Sequence, residues 1–247
     1  MSGDYDRRIA RAAELAAKIP ESAELLEFYV ELACFQKTVF ERLRSTGETD
    51  LRTPSQFFPL LMKLLERSGT EQMKAFARET HGDAEELIGR YWEGDRSGAP
   101  EEQFFARILL QPYAEYLASR GNPDTQSTVS DCPFCGSKPA VGVLRPEGEG
   151  AKRSLICSLC ATEWQFRRVV CPHCGEENKD KLPVYIAEQT DYVRLDACDS
   201  CGTYLKSVDL TRNGHAVPII DELATVALNI WADERGYAKF EPNLLGM

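Results

Sequence analysis

Eight of the nine cysteines fall into four Cys-x-x-Cys pairs: Cys132/Cys135, Cys157/Cys160, Cys171/Cys174 and Cys198/Cys201. A thiolate serves as nucleophile, redox group or metal ligand, and one such pair alone is open to a redox dithiol as much as to a metal. Four pairs at repeated spacing favour metal, with disulfides the weaker alternative. Each turn brings two sulfurs to about 2.3 Å from one ion, and a tetrahedral site needs a second pair from another part of the chain. Each pair is half a site.

The intervals between successive pairs are 21, 10 and 23 residues. Joining first with second and third with fourth gives two modules of nearly equal length, each with room for a hairpin. The lettering repeats as well: "CPFCG" and "CPHCG" open the modules, and "CSLCATEW" and "CDSCGTYL" close them. The competing assignment puts Cys157, Cys160, Cys171 and Cys174 on one ion. It is disfavoured because "ATEWQFRRVV" reads as one extended strand, and a strand rising about 3.3 Å per residue holds its ends apart. Gly136, Gly175 and Gly202 directly follow the second Cys of three pairs and permit the close turn there; Ala161 stands at that place in the other. Four thiolates close the coordination shell, so the pattern points to structural metal rather than metal-dependent hydrolysis. Two ions per chain are expected, and the tetrahedral sulfur set accepts iron or zinc alike.

The remaining candidates are weaker. His173 lies inside a knuckle, while His81 and His215 occupy turn-like stretches without a Ser/Asp or His/Glu constellation. No Walker loop, Gly-x-Gly-x-x-Gly or His-Glu-x-x-His occurs, so no enzyme activity is expected. Trp164, Phe166, Val169, Arg167 and Arg168 form a compact aromatic and basic patch, which either covers the metal module or recognises a protein surface. Nucleic acid is not an expected partner: the net charge is −10, and residues 131–210 hold 10 Lys/Arg against 12 Asp/Glu. No apolar run reaches the roughly 20 residues of a membrane span, and "MSGDYDRRIARAAELAAKIP" lacks an export signal, which suggests a cytoplasmic protein without a membrane partner.

Helices and short strands must position these groups. Residues 1–125 read as a helical domain, with apolar residues three and four apart in "AELLEFYVELACFQKTVFERL". Cys34 in that run is expected to be a buried core thiol. "TPSQFFPLLMKLLERSG" is expected to start a helix at an N-cap Thr53 with Pro54 in its first turn and to stop near Gly69. "TEQMKAFARET", "DAEELIGRYWEG" and "PEEQFFARILLQPYAEYLASRG" follow, and Pro112 should kink or divide the last. A polar linker leads to the cysteine modules at 126–168 and 169–210, whose β-like pieces look too short for a large sheet. A tail at 211–247 returns to one helix over about 219–236, with Leu223, Val226, Ala227, Ile230 and Trp231 as its apolar face. That face requires a packing partner, within the chain or across a homodimer interface.

With the four knuckles placed, the chain resembles the formate dehydrogenase accessory protein family, FdhE. The resemblance rests on "CPFCGSKP" (132–139), "CSLCATEWQFRRVVCPHCG" (157–175), "CDSCGTYLK" (198–206) and "DELATVALNIWADERGYAKFEPNLLG" (221–246). It implies a cytoplasmic accessory factor that binds the catalytic subunit of a respiratory formate dehydrogenase during maturation, an enzyme with molybdenum or tungsten cofactor and iron–sulfur centres. It also implies rubredoxin-type iron sites on the eight paired cysteines, which raises iron above zinc. The expected architecture is multidomain α+β: an all-helical front, two tandem rubredoxin-like or zinc-ribbon-like four-cysteine modules, and a C-terminal helix. Trp164, Arg167, Arg168 and His173 are the residues expected to meet the partner. A rubredoxin-like electron carrier or redox sensor is the second functional reading.

Overall fold

The computed structural model describes residues 4–79 and 83–247, so His81 lies outside the described residues. The front is helical: α1 (Tyr5–Lys18), α2 (Ala23–Thr46), the single turn α3 (Arg52–Ser55), α4 (Phe58–Ser68), α5 (Glu71–Glu79), α6 (Ala84–Trp92) and α7 (Pro100–Arg120). Residues Leu26, Tyr29, Leu32, Ala33, Gln36, Val39, Phe40 and Leu43 repeat at three and four, and all are buried along one side of α2. Cys34 falls between two of these positions on the opposite side and is exposed, contrary to the buried thiol expected of it. The segment around Thr53 also differs: α3 ends after one turn, and the longer helix starts afresh at Phe58 with Pro59 in its first turn.

Pro112 does not divide α7, which runs unbroken for 21 residues. A proline at this position removes the hydrogen bond normally given to the carbonyl four residues earlier, that of Ile108. Gln36 of α2 replaces it, donating from Nε2 to Ile108 O at 3.1 Å. The cost of the proline is thereby offset by a side chain 76 positions away, in a helix buried on nearly every side.

The cysteine half forms β1 (Pro139–Glu147), β2 (Gly150–Cys157), β3 (Glu163–Gln165), β4 (Val184–Ile186), β5 (Val193–Cys198), β6 (Thr203–Asp209) and β7 (Ala238–Lys239). These join into one seven-stranded sheet of order β3-β2-β1-β6-β5-β4, with β7 also beside β6. The expectation of no large sheet is therefore corrected. Short hairpins of the two halves fuse where β1 runs parallel to β6, Gly142 opposite Ser207. A Cβ on Gly142 would sit 2.2 Å from Ser207 Oγ, so glycine is what lets the strands close here.

The C-terminal segment is two helices, α8 (Pro218–Ala224) and α9 (Val226–Asp233), rather than the single one expected. The break at Thr225 rotates the second helix. Leu223 and Leu228 are buried, whereas Ala227 is exposed and Ile230 is 58% exposed, so the apolar face read as continuous does not form. One face of the sheet packs with α9 around Val143, Leu195, Val208 and Ala232. The other belongs to a larger core that also holds the front helices and α8. Buried ion pairs cross this core: Arg8 of α1 to Glu115 of α7 at 2.7 Å, and Arg11 of α1 to Asp221 of α8 at 2.5 Å. Among the described residues, no helix is long and apolar enough to cross a membrane.

Candidate functional site

Three of the four knuckles lie at strand ends, and the Cys171/Cys174 knuckle sits in the turn between β3 and β4. Cys132 and Cys135 precede β1, Cys157 ends β2, Cys198 ends β5, and Cys201 leads into β6. Each knuckle folds back on itself: Gly136, Gly175 and Gly202 N–H donate to the carbonyls of Cys132, Cys171 and Cys198 at 2.9, 3.0 and 2.8 Å. The three glycines have φ of 71°, 77° and 70°. Ala161 adopts the same left-handed turn with φ 53°, and among the described residues no other non-glycine has positive φ.

The sulfurs converge in two groups, Cys132/Cys135/Cys157/Cys160 and Cys171/Cys174/Cys198/Cys201, with all four of each group within 4.8 Å of one another. In the first, Sγ separations are 3.5 Å for Cys132–Cys160, 3.4 Å for Cys135–Cys157 and 3.5 Å for Cys135–Cys160. In the second they are 3.7 Å for Cys171–Cys201 and 3.6 Å for Cys174–Cys198. A tetrahedron of sulfurs with metal bonds of about 2.3 Å has edges of about 3.8 Å, whereas a disulfide needs about 2.05 Å. Each group can therefore coordinate one metal ion, and the donor set is that of iron or zinc.

Amides and hydroxyls surround these sulfurs. In the first group Leu159 N and Cys160 N donate to Cys157 Sγ at 3.3 and 3.4 Å, and Phe134 N donates to Cys132 Sγ at 3.4 Å. The Thr162 hydroxyl lies 3.1 Å from Cys160 Sγ, and the Thr203 hydroxyl 3.1 Å from Cys201 Sγ. These two threonines were not singled out from the sequence, although the repeat "CAT" and "CGT" carries them. Hydrogen bonds, first from Cys132, hold Cys135 far below the ordinary thiol range, while burial pushes Cys157 up. Burial opposes ionisation of Cys201, yet hydrogen bonds from Thr203 and His173 bring it to about 6. Burial raises Cys198 to about 12. Clusters of this kind favour thiolate at some sulfurs and resist it at others until a cation offsets their mutual repulsion.

The two centres differ in exposure. Cys132, Cys157 and Cys160 are buried and belong to the large core shared with the helical front. In the second group Cys174 is exposed and Cys201 half-buried.

The expected partner patch is rearranged. Trp164 is 1% exposed and donates from Nε1 to Val129 O at 2.8 Å, and Phe166 is buried, so neither is a surface anchor. The reason is that "ATEWQFRRVV" is not one strand. β3 covers only Glu163–Gln165, Trp164 faces the core, and the chain then turns into the second module. Arg167, Arg168 and Val169 remain outside; Arg167 pairs with Glu177 at 2.5 Å. His173 is exposed, its ring 5.2 Å from that of Phe240.

Two family models match the cysteine half: "FdhE, central domain" over residues 131–168 and "FdhE, C-terminal domain" over 169–245. Among curated proteins, the FdhE homolog of Haemophilus influenzae (strain PittGG) is 30% identical over 95% of this chain and 85% of its own length. That of Aquifex aeolicus (strain VF5) is 28% identical over 96% and 93%. The crystal structure of the FdhE protein from Pseudomonas aeruginosa superposes with a TM-score of 0.76 at 26% identity, covering 99% of this chain and 96% of that one.

Proposed function

The chain belongs to the FdhE family, and from that membership we propose that it is a non-catalytic accessory factor binding the catalytic subunit of a respiratory formate dehydrogenase during cytoplasmic assembly. The observation that carries this is the pair of closed four-sulfur sites within a chain that matches FdhE proteins along nearly its whole length. Four cysteines saturate a tetrahedral ion and leave no position for a substrate such as formate. The eight cysteines named above are the proposed ligands, and the two hairpin-borne centres are rubredoxin-like, with iron favoured and zinc compatible. When bound, such an ion supplies a crosslink and, if iron, a one-electron couple.

The first centre would order the recognition surface rather than form it. Its buried cysteines sit where the helical front meets the sheet, so filling that site couples the two halves into one surface. A specific observation favours electron transfer as the second reading: Cys174 of the second centre reaches solvent. Binding of purified formate dehydrogenase catalytic subunit to the metal-loaded chain tests the proposal. Saturable binding that is lost in Cys157→Ser and unchanged on reduction of the metal supports the accessory role. Absence of binding with fully loaded protein would refute it, and binding that depends on the oxidation state would favour the redox reading.

A further inference from the structure

A cleft of about 230 Å³ lies between the chain at 168–172 and the sheet at β5 and β6, bordered by Cys171 and Cys198 of the second centre. Pockets enclosing a drug-sized ligand run to roughly 300–1,000 Å³, so this one suits one or two side chains of a larger molecule. Strand alternation shapes its wall. Val193 and Leu195 are buried in the core, which leaves Arg194 and Asp196 on the cleft side of β5.

The charge of this cleft is opposite to that of the chain. Arg153, Arg168, Lys179 and Arg194 line it, with Asp196 as the one carboxylate, in a protein of net charge −10. Arg153 is 4% exposed; its Nη1 donates to Val170 O at 3.0 Å and its Nη2 to Asp196 Oδ2 at 3.3 Å, while its Nε has no hydrogen-bond partner among the described residues. Arg194 pairs with the same carboxylate at 2.8 Å. Four thiolates on a divalent ion would add a charge of about −2 beside the cleft. Asp196 pairs with both inner arginines. Arg168 and Lys179 are exposed and have no carboxylate partner among the described residues; the Arg168 guanidinium reaches only Ala151 O, at 3.4 Å.

Apolar side chains flank the same place. Val169 and Val184 line the cleft at 48% and 47% exposure, and Ile186, two residues along β4, is 49% exposed. Among the described residues β4 ends the sheet and pairs only with β5, so its outer edge can accept another strand. Alternation along an added strand presents every second side chain to one face, which matches a carboxylate for Arg168 and Lys179 and an apolar neighbour for the valines.

We propose that the cleft and the β4 edge bind an extended segment of the enzyme subunit that carries an acidic side chain spaced by two from an apolar one. The identity of the partner rests on the accessory role proposed above; the chemistry of the segment rests on the cleft. Two measurements on full-length, metal-loaded protein separate them. One is binding of formate dehydrogenase catalytic subunit. The other is fluorescence anisotropy with labelled Leu-Ser-Glu-Ser-Val, and with Lys in place of Glu as control. The variants are Arg168→Glu/Lys179→Glu and, separately, Val184→Lys, all at exposed positions, with metal content and circular dichroism as folding checks. Charge reversal is expected to weaken subunit and Glu-peptide binding roughly tenfold or more, with the wild-type affinity falling as salt rises. Undiminished subunit binding by both variants would overturn the cleft and leave the accessory role standing. Peptide binding that is lost on charge reversal, without subunit binding, would retain the acidic-segment site and reject its assignment to this enzyme. Failure of both ligands to bind, or equal binding of the Lys control, overturns the site.

Discussion

Replacing Lys206 with methionine should remove a specific pH dependence of stability. Lys206 of β6 is fully buried, with Nζ 2.9 Å from Glu222 Oε1, 2.6 Å from Glu222 O and 3.2 Å from Thr225 O at the α8/α9 break. Burial pushes its ammonium down to about 8, despite the attraction of Glu222. In the unfolded chain a lysine holds its proton to about 10.4. Between these values the unfolded state binds more protons, so the Lys206 contribution to stability rises with pH; below about 8 both states are protonated and it is flat. At about 1.36 kcal/mol per pH unit the full gap amounts to roughly 3 kcal/mol. Reversible urea unfolding of the metal-loaded proteins at pH 7.5 and 10, followed by far-ultraviolet circular dichroism, measures it. Thiol and tyrosine titrations occur in both proteins, so the difference between wild type and Lys206→Met isolates this ammonium. The wild type should gain roughly 2–3 kcal/mol on the variant across that interval. A difference that stays constant to within about 0.5 kcal/mol, or moves the other way, would refute the assignment of a depressed, buried ammonium.

Gln36→Leu should destabilise the chain by about 1–3 kcal/mol in urea unfolding, because the buried Ile108 carbonyl loses the donor that replaces the one missing at Pro112; Pro112→Ala should recover part of that loss. Gly175→Ala meets no atom within 4 Å and changes only the turn with φ 77°, so its cost should be about 1–2 kcal/mol, seen as a lower melting temperature with metal content retained. Gly142→Ala would place its methyl 2.2 Å from Ser207 Oγ, so hydrogen exchange should show lost protection at residues 142–144 and 207–209, where β1 and β6 pair. A chelator should take the ion of the second centre before that of the first, since Cys174 is exposed while three of the first four cysteines are buried; Cys174→Ser should abolish the fast phase of metal release and leave the slow one.

What could be read from the residues alone was what local geometry decides. A Cys-x-x-Cys knuckle closes within five residues and needs a left-handed turn, so "CPFCG", "CPHCG" and "CDSCG" already state their shape, and the near-equal intervals of 21 and 23 residues match the grouping of the sulfurs. The helical front was legible for the same reason, because burial at three and four residues is written into the order of side chains. Tertiary packing decided the rest. Arg8 and Arg11 reach Glu115 and Asp221, 107 and 210 positions away, and such pairs leave no trace in the local order of residues. For Trp164 the sequence left open whether it covers the module or meets a partner, and the short β3 turned it into the core; Ile230 looked buried until the break at Thr225 rotated its helix outward. Which four-sulfur centre is enclosed and which meets solvent was decided in the same way. The two knuckle sets are nearly alike in sequence, and only the first lies where the helices pack upon the sheet, because burial depends on what the rest of the chain places over a site.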